Sequence, residues 1–308
     1  MWFCVMAIFM VYAVIFILFE DYDRKNNMPL GEPSDWHLLL FSLVVMLLLG
    51  WMLYRYTRRM DQRISHEQIV KQNETRRQMT QNIAHELRTP VASILGYTDT
   101  ILDNPDIAEE TKKQFIIRTN SQARRLTALL NDISTLNRMD YASDMFSKER
   151  INISELVADI VEETALAVAS KEMSIENCLP EDICISGNWS LIYSIFRNLI
   201  DNAINYAGRG ATIRLSSEEH ADNWSFTVCD NGVGVAPEHL PHIFERFYRV
   251  DKGRSRQRLR AGNQSAEIIG GTGLGLAIVK NAVILHAGHI TASNAAGGGL
   301  QFDFTLKK

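Results

Sequence analysis

Two long apolar stretches near the N-terminus dominate the pattern of hydrophobic and polar positions. Trp2 to Phe19 form an apolar run without a charged residue, and Trp36 to Tyr54 form a second such run. As a helix, each run is long enough to cross a hydrocarbon core of about 30 Å. The pattern therefore predicts transmembrane helices over 1–19 and 36–54. A cleaved signal peptide, for the first run, and buried core helices are the alternatives.

The charges that flank these runs predict their orientation. The loop at 20–35 is mainly acidic, whereas four arginines follow the second run: Arg55, Arg58, Arg59 and Arg63. Because basic flanks stay on the cytoplasmic side of a membrane, we expect the N-terminus and the residues after 55 to be cytoplasmic. The loop at 20–35 would then be extracytoplasmic, and it is too short to fold as a sensing domain.

A helical hairpin is predicted after the second run. Residues 55–78 are polar and contain neither glycine nor proline, which favours a helical linker. Within 79–141, two amphipathic stripes flank a break at 104–106, and the second helix runs from about Glu109 to Met139. A lone hairpin cannot bury its apolar stripe well, so we expect a homodimer whose helices form a four-helix bundle.

From 148 to 308 the pattern changes to alternating short elements. It predicts helices over 154–169, 189–206 and 272–286, and strands over 173–179, 183–185, 211–216, 224–229, 289–295 and 300–306. Helices layered on a mainly antiparallel or mixed sheet fit this order. The predicted fold class is a multi-domain membrane protein with two transmembrane helices, an α-helical hairpin and an α/β domain.

Charge and cysteine content narrow the possible partners. The net charge is −4, and nothing in the sequence resembles a nucleic-acid-binding module, so no nucleic acid partner is expected. The four cysteines have no metal-ligand spacing. Cys178 and Cys184 fall in neighbouring predicted strands and could approach each other, but on the cytoplasmic side we expect them to stay reduced.

One stretch, residues 82–90, combines an exposed histidine with a carboxylate. Ile83 and Leu87 are four residues apart and share one helix face, so His85 points away from that face toward solvent. An imidazole beside Glu86 can act as a nucleophile once its proton is drawn away, although an ordinary surface histidine fits as well. Pro90 removes a backbone hydrogen bond and predicts either a tolerated kink or a hinge.

Three further motifs suggest nucleotide chemistry. Asn198 and Asn202 share a helix face, and their amide oxygens suit Mg²⁺ with bound phosphates, although capping or a surface position explains them equally well. Asp230 ends a strand before a glycine turn, where a carboxylate can accept from the amine of adenine, and an ordinary turn is the alternative. The glycine-rich loop 270–276 opens a helix and offers N–H groups to phosphates, but it is neither a Walker loop nor a convincing dinucleotide fingerprint.

In this order, the motifs resemble those of bacterial sensor histidine kinases of two-component systems over roughly residues 79–308. The stretch 82–90 looks like the H box, and the other boxes are matched by 198–206 (N box), 230–234 and 271–275 (glycine boxes) and 244–249 (F box). The resemblance implies a dimerisation and histidine phosphoacceptor domain at 79–141. It also implies a catalytic ATP-binding sandwich of the Bergerat type at 148–308.

The resemblance also implies roles for individual residues. His85 would be the phosphoacceptor, Glu86 the general base, and Thr89 the residue that positions water in a phosphatase reaction. ATP and Mg²⁺ would be the cofactors, with Mg²⁺ held by Asn198 and Asn202. The residues expected to bind ATP are Asn198, Asn202, Tyr206, Asp230, Gly232, Gly234, Phe244, Phe247, Gly271, Thr272, Gly273, Leu274 and Gly275.

The implied function is autophosphorylation on His85, followed by transfer to an aspartate of a cognate response regulator, with a phosphatase activity toward that regulator as a second expectation. The implied location is the bacterial inner or plasma membrane. One departure is Asn205, where the N box often carries lysine. Candidate replacement cations lie in a long loop at 251–269 that otherwise fits a solvated basic segment: Arg254, Arg256, Arg258 and Arg260.

Two other functions stay open on the sequence alone. One is a different ATPase of the same nucleotide-binding superfamily. The other is a nucleotide-binding membrane scaffold or a regulator dominated by its phosphatase activity.

Overall fold

The computed structural model describes residues 35–141, 147–250 and 271–308, together with Lys25. The predicted span at 1–19, nearly all of the loop at 20–35 and the arginine-rich loop at 251–269 lie outside the described residues. Among the described helices, none has a stretch that is long and apolar enough to cross a membrane. The prediction of a membrane span at 36–54 is therefore not confirmed.

Two long helices precede the α/β domain. Helix α1 runs over Asp35–Asp103 and α2 over Glu109–Tyr141. The end of α1 at Asp103 and the start of α2 at Glu109 agree with the predicted break, because Asn104 and Pro105 do not continue a helix well. Helix α1 also continues through Pro90, which is buried. A hinge at Pro90 therefore stays a prediction.

The chain divides into two compact units between Arg77 and Gln78. The second unit holds the hairpin and the α/β domain. Within the hairpin, Tyr97 stacks on Phe115 with ring centroids 5.4 Å apart. The apolar stripe predicted for α2 includes Ile116, Leu129 and Leu136; Leu129 and Leu136 are buried, but Ile116 is exposed. The stripe was thus correct along most of α2 and wrong near its start.

The α/β domain contains seven strands and three further helices in the described residues. In chain order they are β1 (Glu149–Asn152), α3 (Ile153–Ser170), β2 (Ser174–Asn177), β3 (Cys184–Gly187), α4 (Trp189–Tyr206), β4 (Thr212–Glu219), β5 (Asn223–Asp230), α5 (Gly275–Leu285), β6 (Ile290–Asn294) and β7 (Leu300–Lys307). A short 3₁₀ turn covers Leu240–His242. Strand β1 and the 3₁₀ turn were not predicted.

The strands form a mixed sheet, as expected. The five-stranded sheet has the order β2-β4-β5-β7-β6; β2 and β4 are parallel, and the other neighbours are antiparallel. Strands β1 and β3 form a separate antiparallel pair. Cys184 lies in that pair, whereas Cys178 follows β2 of the larger sheet, so they are not on neighbouring strands. Both thiols are free.

An aromatic cluster joins the helices to the sheet. Phe196 of α4 meets Phe226 of β5 edge-on at 5.4 Å and Phe304 of β7 at 5.5 Å. Phe226 and Phe304 stack on each other at 5.3 Å. Edge-to-face and offset contacts of this kind are favoured by the ring quadrupoles. They fix α4 over the middle of the sheet.

His286 closes the end of α5 within this core. Its Nδ1 lies 2.7 Å from the carbonyl oxygen of Ala282, and its Nε2 accepts the backbone N–H of Asn188 at 3.0 Å. Because Nε2 accepts, the proton belongs on Nδ1 and the ring is neutral. Burial lowers the pKa of His286, the bond to Ala282 opposes this shift, and the charge of Lys148 adds to it.

This buried neutral ring predicts a loss of stability in mild acid. An unfolded histidine takes up its proton near pH 6.5, whereas folded His286 resists protonation until its lowered pKa is reached. Between these two values the unfolded state binds more protons. The free energy of unfolding therefore falls as the pH falls, by up to about 1.4 kcal/mol per pH unit.

Urea unfolding of the full chain across that pH window measures the effect. The pH dependence of the free energy of unfolding should weaken in His286→Gln. It should persist in His289→Gln, because the side chain of His289 is exposed. An undiminished dependence in His286→Gln would contradict the assignment.

Candidate active site

One edge of α4 carries the predicted amide ligands. Asn198 donates from Nδ2 to the carbonyl of Ser194 at 2.7 Å, which leaves its Oδ1 free to accept. That Oδ1 lies at the start of α5, since a Cβ added to Gly275 would be 2.5 Å from it. Asn202 lies one turn further along α4. It is half-buried and has no side-chain hydrogen-bond partner among the described residues.

These amides fit the predicted ion. Neutral oxygens with free lone pairs, on a rigid helix and beside a loop open to phosphates, suit Mg²⁺, which keeps several of its waters. The structure places Asn198 at the start of α5 and Asn202 one turn further along α4. Their role as ligands stays a prediction.

The glycine loop, residues 271–275, lies against this edge of α4. The N–H of Gly271 donates to the hydroxyl of Tyr206 at 3.3 Å. Gly273 has φ +73°, a conformation that L side chains rarely adopt, and this is why α5 begins at Gly275 and not at the predicted residue 272. Leu274, at the N-cap position of α5, provides no side-chain cap. The first turn of α5 thus leaves backbone N–H groups available for an anion.

The predicted F box, residues 244–249, contacts the glycine loop. The backbone N–H of Phe247 donates to the carbonyl of Gly273 at 2.7 Å, and the Phe247 side chain is buried. Phe247 has φ +63°, which is unusual for a residue with a side chain. Phe244 packs against Phe302 at 6.1 Å. In this structure both phenylalanines hold the loop and core in place, a contribution that sequence reasoning did not identify.

The opposite end of the site is formed by Asp230. This buried carboxyl lies at the end of β5, and its Oδ1 accepts from the N–H groups of Gly232 at 2.9 Å and Leu300 at 3.3 Å. A Cβ on Gly232 would overlap the backbone of Ala207, and Gly234 has φ +66°. The glycines are therefore required by close approach and turn geometry. The second carboxyl oxygen of Asp230 remains to accept from an amine such as that of adenine.

The predicted phosphoacceptor lies on the hairpin. His85 is exposed on α1, and the hydroxyl of Thr89 donates to the carbonyl of His85 at 3.4 Å. Glu86 pairs with Arg125 of α2 at 3.4 Å, and both side chains are partly exposed. Such a pair contributes little stability, but it orients the Glu86 carboxylate toward α2. The catalytic roles of Glu86 and Thr89 stay predictions.

The hairpin and the glycine loop touch each other directly. The hydroxyl of Thr272 donates to Oδ2 of Asp132 on α2 at 2.8 Å. Burial raises the pKa of Asp132, and the bond from Thr272 partly opposes that shift. Arg246 pairs with Asp140 at 2.8 Å and donates to the sulfur of Met79 at 3.3 Å. Sequence reasoning missed the contact between Thr272 and Asp132, because a single aspartate within an amphipathic helix carries no local signal.

Two family models match the chain. The model described as Histidine kinase-, DNA gyrase B-, and HSP90-like ATPase matches residues 187–308, and the model described as His Kinase A (phospho-acceptor) domain matches residues 75–142. The first range contains α4, Asp230 and the glycine loop. The second contains the hairpin with His85.

Individual relatives agree with both models. The chain is 33% identical to the phosphate regulon sensor protein PhoR of Haemophilus influenzae over 234 residues, which cover 76% of this chain and 52% of PhoR. It is 33% identical to the sensor histidine kinase RppB of Synechocystis sp. over 239 residues, covering 77% of this chain and 50% of RppB. The chain thus spans about half the length of the curated relatives it matches.

Solved structures share the fold. The histidine kinase AdeS of Acinetobacter baumannii is similar with a TM-score of 0.56 at 25% identity, over 72% of this chain and 97% of the AdeS chain. The histidine kinase ThkA, solved in complex with the response regulator protein TrrA, gives a TM-score of 0.57 at 22% identity, over 75% of this chain and 61% of the other. The chain matches the models of a phosphoacceptor hairpin and of this ATPase fold, in that order, and these relatives agree with both models. It therefore belongs to the sensor histidine kinases of two-component systems.

Proposed function

We propose that this chain is an ATP-dependent protein-histidine kinase that phosphorylates itself on His85 and passes the phosphoryl group to an aspartate of a response regulator. The observation that carries the proposal is the direct contact between the glycine loop and the hairpin, through Thr272 and Asp132 at 2.8 Å. It joins the loop that we propose binds phosphates to the hairpin that carries the exposed His85, within one compact unit of the chain. A separate ATPase or a scaffold has no need of this exposed imidazole on a docked hairpin.

The proposed chemistry is a phosphoryl transfer from ATP to His85. A ring nitrogen of His85 forms a bond to the γ-phosphorus of ATP, the bond from that phosphorus to the bridging oxygen breaks, and ADP leaves. Glu86 accepts or orients the proton of the ring. Asp230 and the glycine loop would hold the adenine and the phosphates, and Asn198 and Asn202 would hold Mg²⁺. When bound, Mg²⁺ neutralises charge on the phosphate oxygens, so positioning supplies most of the remaining catalysis.

The proposal includes two protein partners. The first is a second copy of the chain, because apolar side chains on the hairpin remain exposed: Val91, Leu95, Leu102, Ile116, Ile117 and Leu130. A four-helix bundle would bury such a surface. The second partner is a response regulator, which is supported by family membership and by the structure of ThkA, a kinase of the same fold that was solved in complex with the response regulator protein TrrA.

We also propose attachment to the bacterial inner or plasma membrane. The support is the two apolar runs in the sequence and the exposure of apolar side chains at the described part of the second run, including Met46, Leu47 and Leu53. Fractionation of cells that express the full chain tests this attachment. The chain should sediment with membranes and resist extraction by salt and alkali, whereas release by either wash would contradict the anchor.

Replacement of the phosphoacceptor tests the kinase directly. With labelled ATP and Mg²⁺, the wild type should acquire an acid-labile label, and His85→Gln should acquire none because it lacks the ring nitrogen. His289→Gln is the matched control, since it removes another exposed imidazole outside the site. Acid-labile label that persists in His85→Gln would contradict the assignment.

Replacement of the unpartnered amide tests the metal role. Asn202→Ala should lower Mg²⁺-dependent phosphorylation at least about tenfold, because even an outer-shell metal partner is worth that much. The dimer, measured by light scattering, should be unchanged. Asn205→Ala is the control, since that amide oxygen already accepts from Lys171 at 3.4 Å. Normal phosphorylation in Asn202→Ala would remove Asn202 from the metal site.

A further inference from the structure

The hydroxyl of Thr272 is committed to the hairpin in this structure. The backbone N–H of Leu274 donates to Oγ1 of Thr272 at 3.2 Å. The hydroxyl therefore uses an acceptor position inside the loop and directs its own hydrogen to Oδ2 of Asp132 at 2.8 Å. A phosphate oxygen that seeks this hydrogen must displace the carboxylate.

Asp132 also conflicts with phosphates through its charge. The glycine loop suits anions because it combines φ-positive glycine, free N–H groups and the positive end of α5. The Asp132 carboxylate touches this loop through the Thr272 hydroxyl and brings a negative charge to its edge. If ATP entered while Asp132 remained in place, two negative groups would face each other in a partly buried site, where like charges repel more strongly than in water.

Other contacts hold the hairpin at this position. Arg246, next to the loop-supporting Phe247, pairs with Asp140 at 2.8 Å. Apolar side chains of α2 and of the α/β domain share one buried cluster, which includes Leu129, Leu136, Met139, Ile243, Phe247 and Leu274. The bond between Asp132 and Thr272 is thus part of a packed interface.

The docked position is displaced from the phosphoacceptor along the hairpin. Arg125 lies level with Glu86, because their side chains meet at 3.4 Å. Asp132 follows Arg125 by about two helical turns, or roughly 10 Å at 1.5 Å per residue. The docked loop is therefore held about two turns from the level of His85, so phosphoryl transfer benefits if the loop is released.

We propose that the carboxylate of Asp132 competes with the nucleotide phosphates for the glycine loop, so that docking of the hairpin through Asp132 and binding of ATP oppose each other. The inference rests on the proposed function, because it assigns the phosphates to residues 271–275. Thermodynamic linkage then requires that ATP weaken the docking by the same factor by which docking weakens ATP binding.

Nucleotide affinity of the full chain tests the proposal. The probes are a non-hydrolysable ATP analogue with Mg²⁺ and adenosine, each titrated by calorimetry. Asp132→Asn keeps the size of the side chain and an oxygen that can accept from Thr272, but it removes the charge. It should bind the ATP analogue about fivefold or more tightly than wild type, in the range of common coupling energies. Its affinity for adenosine should not change, because adenosine carries no phosphate.

Two further variants make the result specific. Glu110→Gln removes one negative charge from the exposed start of the same helix, and it should leave both affinities unchanged. Asp132→Ser supplies a second replacement if Asp132→Asn lowers the thermal unfolding midpoint. It should raise the affinity for the ATP analogue in the same way.

The outcomes separate the two claims. If wild type binds the analogue but neither Asp132 variant binds it more tightly, the competition is overturned while the proposed function stands. An equal rise in the affinities for adenosine and for the ATP analogue also overturns the competition, because the effect would not act through phosphates. If wild type binds no analogue, the proposed function fails and the inference fails with it.

Discussion

The glycine loop at 271–275 is the constraint on which the whole site depends. Its left-handed turn at Gly273 lets one short segment meet three different parts of the chain. Gly271 bonds to Tyr206 of α4, the carbonyl of Gly273 accepts from Phe247, and Thr272 bonds to Asp132 of the hairpin. A side chain at Gly273 would be strained there and crowd Phe247, so the three contacts depend on one backbone conformation.

This arrangement links the chemistry of two domains. In the proposed mechanism, Asp230 and the amide edge of α4 would hold a nucleotide with its metal ion, and the exposed His85 on a separate helix would be the nucleophile. Neither part accomplishes phosphoryl transfer alone, because the donor and the acceptor must be brought together. The contact between Thr272 and Asp132 places both in one compact unit, yet the carboxylate it uses is an anion at a loop suited to anions. The same contact can therefore hold the domains together and oppose the substrate.

Local patterns explain which elements the sequence could predict. Helix α4 begins and ends at the predicted Trp189 and Tyr206, because its apolar periodicity is strong and Asn188 caps its N-terminus. The break after Asp103 follows from the chemistry of Asn104 and Pro105. The motifs also predicted that Asn198 and Asn202 lie on one helix, α4, and that Asp230 ends a strand, β5.

The features that the sequence could not predict depend on contacts between residues that are not adjacent in the chain. Strand β1 is four residues long and exists through pairing with β3, so its own sequence gives little signal. Asp132 and Thr272 are bonded although they are far apart in sequence. The support that Phe247 gives the glycine loop uses its backbone, which no side-chain pattern reveals. Cys178 and Cys184 are close in sequence, but Cys178 follows β2 of the five-stranded sheet, whereas Cys184 lies in β3 of the separate strand pair.

In the proposed reaction, His85 receives the γ-phosphoryl group of ATP. Mass spectrometry of peptides from the wild-type chain, kept at neutral pH after incubation with ATP and Mg²⁺, locates that group directly. We expect a phosphoryl group on His85. A phosphoryl group on another residue, or steady hydrolysis of ATP that leaves every histidine unmodified, would contradict it.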